Sequence, residues 1–207
     1  MTLQTLRPLE QFRAQTAPRA LRGLVDEIRS REMTLDPPYQ RGTVWTPDKR
    51  VALIRSLMQG VPIPSLITSD RSWGGWTGPV VRGDGPVVAV IDGRQRLETM
   101  IAWFDSALAV PASWWPRDDI VSAVDTDDGE YLFYSGLNRA AQLHFNHSAV
   151  MGVCEARVAD IAAEAAIFCL VNGQGVPIDP CDLSRAAVVA GPDSDRLAAV
   201  KESDPRR

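Results

Sequence analysis

The sequence predicts a single-domain α/β protein. Apolar residues recur at helical spacing in several segments, and the short β-branched runs between these segments are typical of buried strands. A chain of 207 residues that is 45% hydrophobic can fill one core and is short for two full domains. We therefore expect one domain over residues 1–190 and a flexible tail over residues 191–207, where Asp, Ser and Pro are frequent.

The first half of the chain is predicted to alternate helices with strands. Leu21, Leu24 and Ile28 share one face of a first helix, and Thr46 followed by a proline is typical of the start of a second. In chain order we expect a helix over 20–31, a strand near 33–35, a helix from 47 that Gly60 closes, a strand over 65–68, an exposed loop over 72–86, and a buried strand over 87–91.

The second half begins with a helix whose apolar residues follow at offsets of three and four from Leu97, and which stops before Pro111. For residues 111–136 the sequence predicts one strand, over 131–134, and does not indicate how the rest of this segment is arranged. Further elements are a short helix over 137–144, a strand over 150–158, a helix over 160–172 and a last helix over 179–190.

The composition and charge of the chain indicate which cellular compartment and which kinds of binding partner to expect. The net charge of −4 argues against a broad basic face that coats duplex DNA. Residues 1–60 nevertheless hold ten Arg or Lys against six Asp or Glu, so a local anion site there is possible. Three cysteines without a CxxC pair suggest neither a disulfide framework nor a zinc ribbon, and no apolar run is long enough for a membrane span. We expect a soluble protein of a reducing cytoplasm.

The turn after the strand over 87–91 is the candidate functional centre. Asp92 and Gly93 lie between a buried strand and a helix, whose unpaired N–H groups and dipole favour an anion. Gly93 permits close backbone approach, while Arg94 and Arg96 offer forked donors to phosphate oxygens. Asp92 is suited to hold Mg²⁺ or to orient an attacking water or hydroxyl. The alternative is an ordinary surface turn with solvated or salt-bridged arginines.

Four spaced motifs resemble one known family. They are YQRGTVW at 39–45, GVPIP at 60–64, DGRQRL at 92–97 and the block over 168–183, which follow the family patterns YQRxxVW, GxPIP, DGQQRL and FxRxNtGGxxLsxxEL. The chain is therefore similar to the N-terminal domain of the GmrSD type of modification-dependent restriction proteins. That family is marked by a DGQQR motif and has a ParB/sulfiredoxin-like fold, which implies a small mixed sheet surrounded by helices.

The resemblance also implies a function. Members bind and often hydrolyse nucleotides in phage restriction or DNA modification. This implies that the protein acts in the cytoplasm of a bacterial or phage-infected cell. It also implies an NTP (ATP, GTP or CTP) and Mg²⁺ as cofactors. By resemblance Gln40 and Arg41 would face the same pocket as the DGRQR turn, including Gln95, and Asn172 would approach it from the later helix. Implied partners are a nucleotide, modified DNA and a separate nuclease or modification-system protein.

Two positions depart from the family pattern. Arg94 stands where the motif has its first Gln, which adds a positive charge and bears on nucleotide preference. Leu170 stands where the family usually has Arg, so that one expected phosphate contact is missing and hydrolysis is more in question than binding. A C-terminal nuclease domain is expected to be absent from a chain of this length.

Two further patterns have structural explanations that we favour. His144 and His147 share a helical face but have no third ligand nearby, so ordinary surface histidines are expected. Four tryptophans could stack on bases, although core or loop packing is favoured because no basic run interleaves with them; they are Trp73, Trp76, Trp114 and Trp115. Trp45 is expected to pack beneath the loop that holds Arg41.

The leading hypothesis is an NTP-hydrolysing or phosphoryl-transferring domain with Asp92, Arg96 and Arg41 in catalysis. Its specific version is a kinase that acts on a hydroxyl of a modified DNA base. Two alternatives stay open: a non-catalytic nucleotide-sensing adaptor for a partner nuclease, and a ParB-like nuclease acting directly on DNA, which the net charge disfavours.

Overall fold

A computed structural model describes residues 11–40, 42, 45–79, 85–173 and 188. The strands are β1 (Arg13–Ala20), β2 (Met33–Thr34), β3 (Leu66–Asp70), β4 (Val88–Asp92), β5 (Val110–Pro111), β6 (Val124–Thr126), β7 (Gly129–Leu132) and β8 (Val150–Arg157). The helices are α1 (Leu21–Arg29), α2 (Pro47–Met58), α3 (Arg94–Phe104), α4 (Arg139–Ser148) and α5 (Ile161–Gly173). The fold is α+β, as the sequence predicts.

Two sheets organise the described chain. The larger has the order β1-β8-β3-β4-β2 and is mixed, because β8 runs parallel to β3, β4 runs parallel to β2, and the other two pairs are antiparallel. The smaller has the order β5-β7-β6 and is antiparallel throughout. This confirms the expected mixed sheet with helices and adds a second sheet.

The start and stop signals of α2 are confirmed. Thr46 caps the helix, with its hydroxyl accepting a hydrogen bond from the Lys49 N–H at 3.4 Å, and Pro47 occupies the first helical position. Gly60 follows the helix at a φ of +65°, a conformation that favours glycine. The predicted helices around α1, α3 and α5 and the strands at β2, β3, β4 and β8 are also present, with bounds shifted by a few residues.

Some elements differ from the prediction. The sequence did not indicate β1, because it is an exposed edge strand containing Pro18 and has no alternation of apolar and polar residues. The strand expected over 131–134 lies at Gly129–Leu132, and the helix expected over 137–144 begins later because Asn138 caps it. Of the last predicted helix, over 179–190, the structure describes only Val188, so that prediction lies outside the described residues, as does the tail.

The described core has two parts. The larger packs α1, α2, α3 and α4 against the sheets, with Trp103 contacting the rings of Trp115, Tyr134 and Phe145 at centroid distances of 5.7–6.4 Å. The smaller lies between β4 and α5 and contains Tyr39, Ile91 and Phe168 among its members. Among the helices in the described part of the chain, none has the length and apolarity needed to cross a membrane.

Candidate functional site

The turn between β4 and α3 has the geometry that an anion site requires. Ala89, Val90 and Ile91 are fully buried in β4, and Asp92 ends the strand. Gly93 has a φ of +105°, and a Cβ there would lie 2.1 Å from Leu66 Cδ2. Because Gly93 has no side chain, α3 begins without a side-chain cap. The first-turn N–H groups and the positive end of the helix dipole therefore face the turn.

Arg96 holds this turn in place. Its Nη2 donates to Asp92 Oδ2 at 2.5 Å, and its Nη1 donates to the carbonyl of Pro64 and, at 3.3 Å, to that of Ser65. The residue is 8% exposed. Arg96 thus joins the start of α3 to the segment before β3 and orients the Asp92 carboxylate, while its predicted direct contact with phosphate remains a prediction.

Arg94 lies at the same turn between two carboxylates. Its Nη1 is 2.5 Å from Asp36 Oδ1, and its Nε donates to Glu98 Oε1 at 2.7 Å. Partial burial opposes the charge, but the hydrogen bond to Glu98 and the charge of Asp36 outweigh it and raise the pKa of Arg94. The guanidinium is therefore permanently charged and is already partnered.

Two glutamines connect separate loops to the turn. The side-chain amide of Gln40 donates to the carbonyls of Val90 and Ile91 at 2.9 and 2.6 Å, which fixes the residue against β4. The side-chain oxygen of Gln95 accepts the backbone N–H of Trp45 at 2.6 Å. The YQRxxVW block and the DGRQR turn, 50 residues apart in sequence, are thus in direct contact.

Helix α5 supplies the opposite wall. Phe168 and Asn172 are separated by four positions and share a helical face, and the Asn172 amide donates to the Phe168 carbonyl at 2.9 Å. Leu170, two positions after Phe168, points to the other side of the helix and is 50% exposed. The loss of a phosphate contact through the departure at Leu170 stays a prediction.

These side chains enclose a cavity of about 100 Å³ at the start of α3. Its lining residues are Gln40, Trp45, Asp92, Gly93, Arg94, Gln95, Arg96, Phe168 and Asn172. Seven of the eight predicted site residues are therefore brought together; the eighth, Arg41, lies outside the described residues. The volume is below the roughly 300–1,000 Å³ of sites that enclose a whole small ligand, so it suits a phosphate-sized group.

The sequence reasoning missed a buried ion pair that holds α5. Glu164 is fully buried, and Arg71 donates to both of its oxygens, at 2.8 and 2.6 Å. Tyr39 donates its hydroxyl to the same carboxylate at 3.1 Å and packs on Phe168. Burial, followed by the charge of Glu164, raises the pKa of Tyr39. The available signal was a single charged residue, Glu164, in a helix that is otherwise apolar as far as Val171.

The surroundings of His144, His147 and Trp73 agree with their structural explanations. His144 and His147 are both exposed, and no group of three His, Cys, Asp or Glu side chains among the described residues could hold a metal ion. The Trp73 indole donates to the Val158 carbonyl at 2.8 Å, so this tryptophan fixes its loop to the end of β8. The Trp45 ring centroid lies 5.1 Å from the Lys49 ammonium. Its predicted packing beneath the loop that holds Arg41 stays a prediction, because most of that loop lies outside the described residues.

Comparison with known proteins identifies the family. The GmrSD restriction endonuclease N-terminal domain family matches residues 21–189, which include the cavity and both core regions. A search of curated proteins finds no significant match. Because the family match covers well over half of the 207 residues, the chain belongs to the GmrSD restriction endonuclease N-terminal domain family.

Proposed function

We propose that the cavity at the start of α3 binds the phosphates of a nucleoside triphosphate together with Mg²⁺, and that the domain hydrolyses the nucleotide or transfers its terminal phosphoryl group. The family ties the chain to restriction and phage-host conflict, and modified DNA and a partner nuclease are the targets we propose within that role. The observation that carries the proposal is an uncapped helix N-terminus that opens onto a cavity lined by Asp92 and Arg94.

Asp92 is the residue that fits Mg²⁺. Arg96 engages Oδ2, so Oδ1 is the oxygen we assign to the ion. Mg²⁺ commonly takes only one or two protein carboxylates and completes its shell with water and substrate phosphates, which agrees with Asp92 as the single acidic residue among the described residues that line the cavity. When bound with a nucleotide, the ion would neutralise charge on the phosphates.

The local charge balance explains why the ion would be needed. Arg94 and Arg96 pair with three carboxylates, those of Asp36, Asp92 and Glu98, so this set is net negative. A triphosphate alone would meet repulsion that the helix N-terminus offsets only in part. We therefore expect nucleotide binding to depend on Mg²⁺ and to disappear in EDTA.

The cavity size limits what it can enclose. About 100 Å³ accommodates a phosphoryl group, so the nucleoside would extend outwards past Trp45 and Asn172. In this arrangement Asp92 acts through the ion that it would hold, Arg94 holds phosphate oxygens, and Arg96 is a positioning residue for Asp92. The unenclosed base leaves ATP, GTP and CTP all as candidates.

A non-catalytic nucleotide sensor is the second candidate. Both arginines at the turn are already partnered by carboxylates, which favours stable binding over stabilisation of charge in a transition state. Such a domain would report the nucleotide state to a partner nuclease.

Phosphate release distinguishes these functions. The full chain is incubated with ATP, GTP or CTP and Mg²⁺, with and without hydroxymethylated DNA, and phosphate and labelled DNA are both followed. The proposal predicts turnover that Asp92→Ala abolishes and that Asp48→Ala, an exposed carboxylate on α2, retains. Label on the DNA identifies the kinase, binding without turnover identifies the sensor, and nicked DNA without nucleotide would instead support a nuclease.

A further inference from the structure

A second cavity, of about 580 Å³, lies beside the small sheet and shares no lining residue with the cavity at α3. The turns after β5 and the strand β7 line it, and its aromatic walls come from Trp114, Trp115 and Tyr131. We refer to it as the tryptophan cavity. Its volume falls within the roughly 300–1,000 Å³ range of ligand sites, and it is therefore larger than a packing defect.

The rim of the tryptophan cavity is acidic. Asp128 accepts hydrogen bonds from the hydroxyls of Thr126 and Tyr131 at 2.7 and 2.8 Å, which orient the carboxylate and lower its pKa. Glu130 also lines the cavity and pairs with Arg117 at 2.7 Å. The segment over 117–130 holds six carboxylates and only this one basic residue.

The negative charge of this rim indicates which class of ligand the tryptophan cavity can bind. A phosphate backbone would be repelled, so nucleic acid is disfavoured here. A divalent metal needs convergent ligands, and no group of three such side chains occurs among the residues that the structure describes. An organic cation remains, and a guanidinium both stacks on tryptophan and pairs bidentately with carboxylates.

We propose that the tryptophan cavity docks an arginine-bearing segment of a partner polypeptide. Charge complementarity with Asp128 and Glu130 selects the cation, and the parts of Trp114 and Trp115 that line the cavity contact it. Arg55 already lies 5.9 Å from the Trp114 ring centroid, which shows that this ring can pack against a guanidinium. The site is independent of nucleotide chemistry and would attach the domain to another protein.

Nuclear magnetic resonance of the tryptophan indole N–H groups tests this docking site. The probe is the acetylated, amidated peptide Gly-Arg-Arg-Gly, and the control peptide has citrulline at both arginine positions. Trp114→Phe and Trp115→Phe each assign one indole signal by its loss. We expect saturable shifts of the Trp114 and Trp115 signals with the arginine peptide, and at least about fivefold weaker binding of the citrulline peptide.

Charge variants complete the test. The double variant Asp128→Asn/Glu130→Gln should weaken binding by about fivefold or more, while Asp118→Asn, an exposed carboxylate outside the cavity lining, should bind as the wild type does. If the double variant does not fold, a salt titration of the wild type replaces it, and affinity should fall as salt rises. The absence of saturable shifts, equal binding of both peptides, salt-independent affinity, or saturable shifts of the same indole signals with a DNA oligonucleotide in the absence of peptide would overturn the proposal.

Discussion

Replacing Glu164 with glutamine tests the contact that fixes α5 against the cavity. The change keeps the size of the side chain and removes its charge. Arg71, whose side chain is only 11% exposed, is then left as a buried charge without its carboxylate partner. Removing one member of a buried ion pair costs about 3–5 kcal/mol. A glutamine oxygen can still accept one hydrogen bond from Arg71 and recover about 1 kcal/mol, so we expect a loss of about 3 kcal/mol in the free energy of unfolding.

Urea unfolding of the wild type, Glu164→Gln, Arg71→Met and the double variant measures this loss. For a chain of this length it corresponds to a fall of about 6–12 °C in Tm. The double variant should lose less than the sum of the single variants, with a coupling of at least about 1.5 kcal/mol, because it leaves no unpaired buried charge. A loss below about 0.5 kcal/mol for Glu164→Gln, or additive single losses, would refute the ion pair as the support of α5.

Three further predictions concern the turn and its neighbours. Gly93→Ala should lower the free energy of unfolding by at least about 1–3 kcal/mol, because Gly93 has a positive φ and an added Cβ would meet the Leu66 side chain. The control is Gly23→Ala in the same urea assay. This change should raise the free energy of unfolding by about 0.5–1 kcal/mol, because Gly23 lies in α1 and its Cβ would meet open space. Between pH 10 and 11 the wild type should lose about 1 kcal/mol more of its free energy of unfolding than Tyr39→Phe does, because unfolded tyrosine ionises near pH 10 while folded Tyr39 keeps its proton. Arg94→Gln should raise the Kd for NTP with Mg²⁺ about tenfold in fluorescence titrations, and the exposed Arg139→Gln should not; equal Kd values would contradict a phosphate role for Arg94.

Local signals predicted most of the described fold. Thr46 with the proline after it, and Gly60, marked the ends of α2, because capping depends on residues adjacent in sequence. The run that became β4 was recognised because a strand buried on both faces is continuously apolar. By contrast, β1 lies at the sheet edge, pairs through its backbone with β8 and has no buried face, so its sequence carries no periodic signal.

The candidate site was predictable in its members and less so in their contacts. The motif and its resemblance placed Gln40 and Gln95 at one pocket, and the cavity contains both. They did not indicate that the Arg96 guanidinium donates its hydrogen bonds to Asp92 and to backbone carbonyls, because sequence does not reveal which acceptors a fold brings within reach. The pairing of Arg71 with Glu164 spans 93 positions and depends on tertiary structure for the same reason.

Calorimetric titration with non-hydrolysable analogues of ATP, GTP and CTP tests the central claim that the cavity at the start of α3 is a phosphate site. We predict saturable binding of at least one analogue to the wild type in Mg²⁺, loss of that binding in EDTA, and at least about tenfold weaker binding to Asp92→Asn. If no analogue binds, or if Asp92→Asn binds with the affinity of the wild type, the cavity is not the nucleotide site.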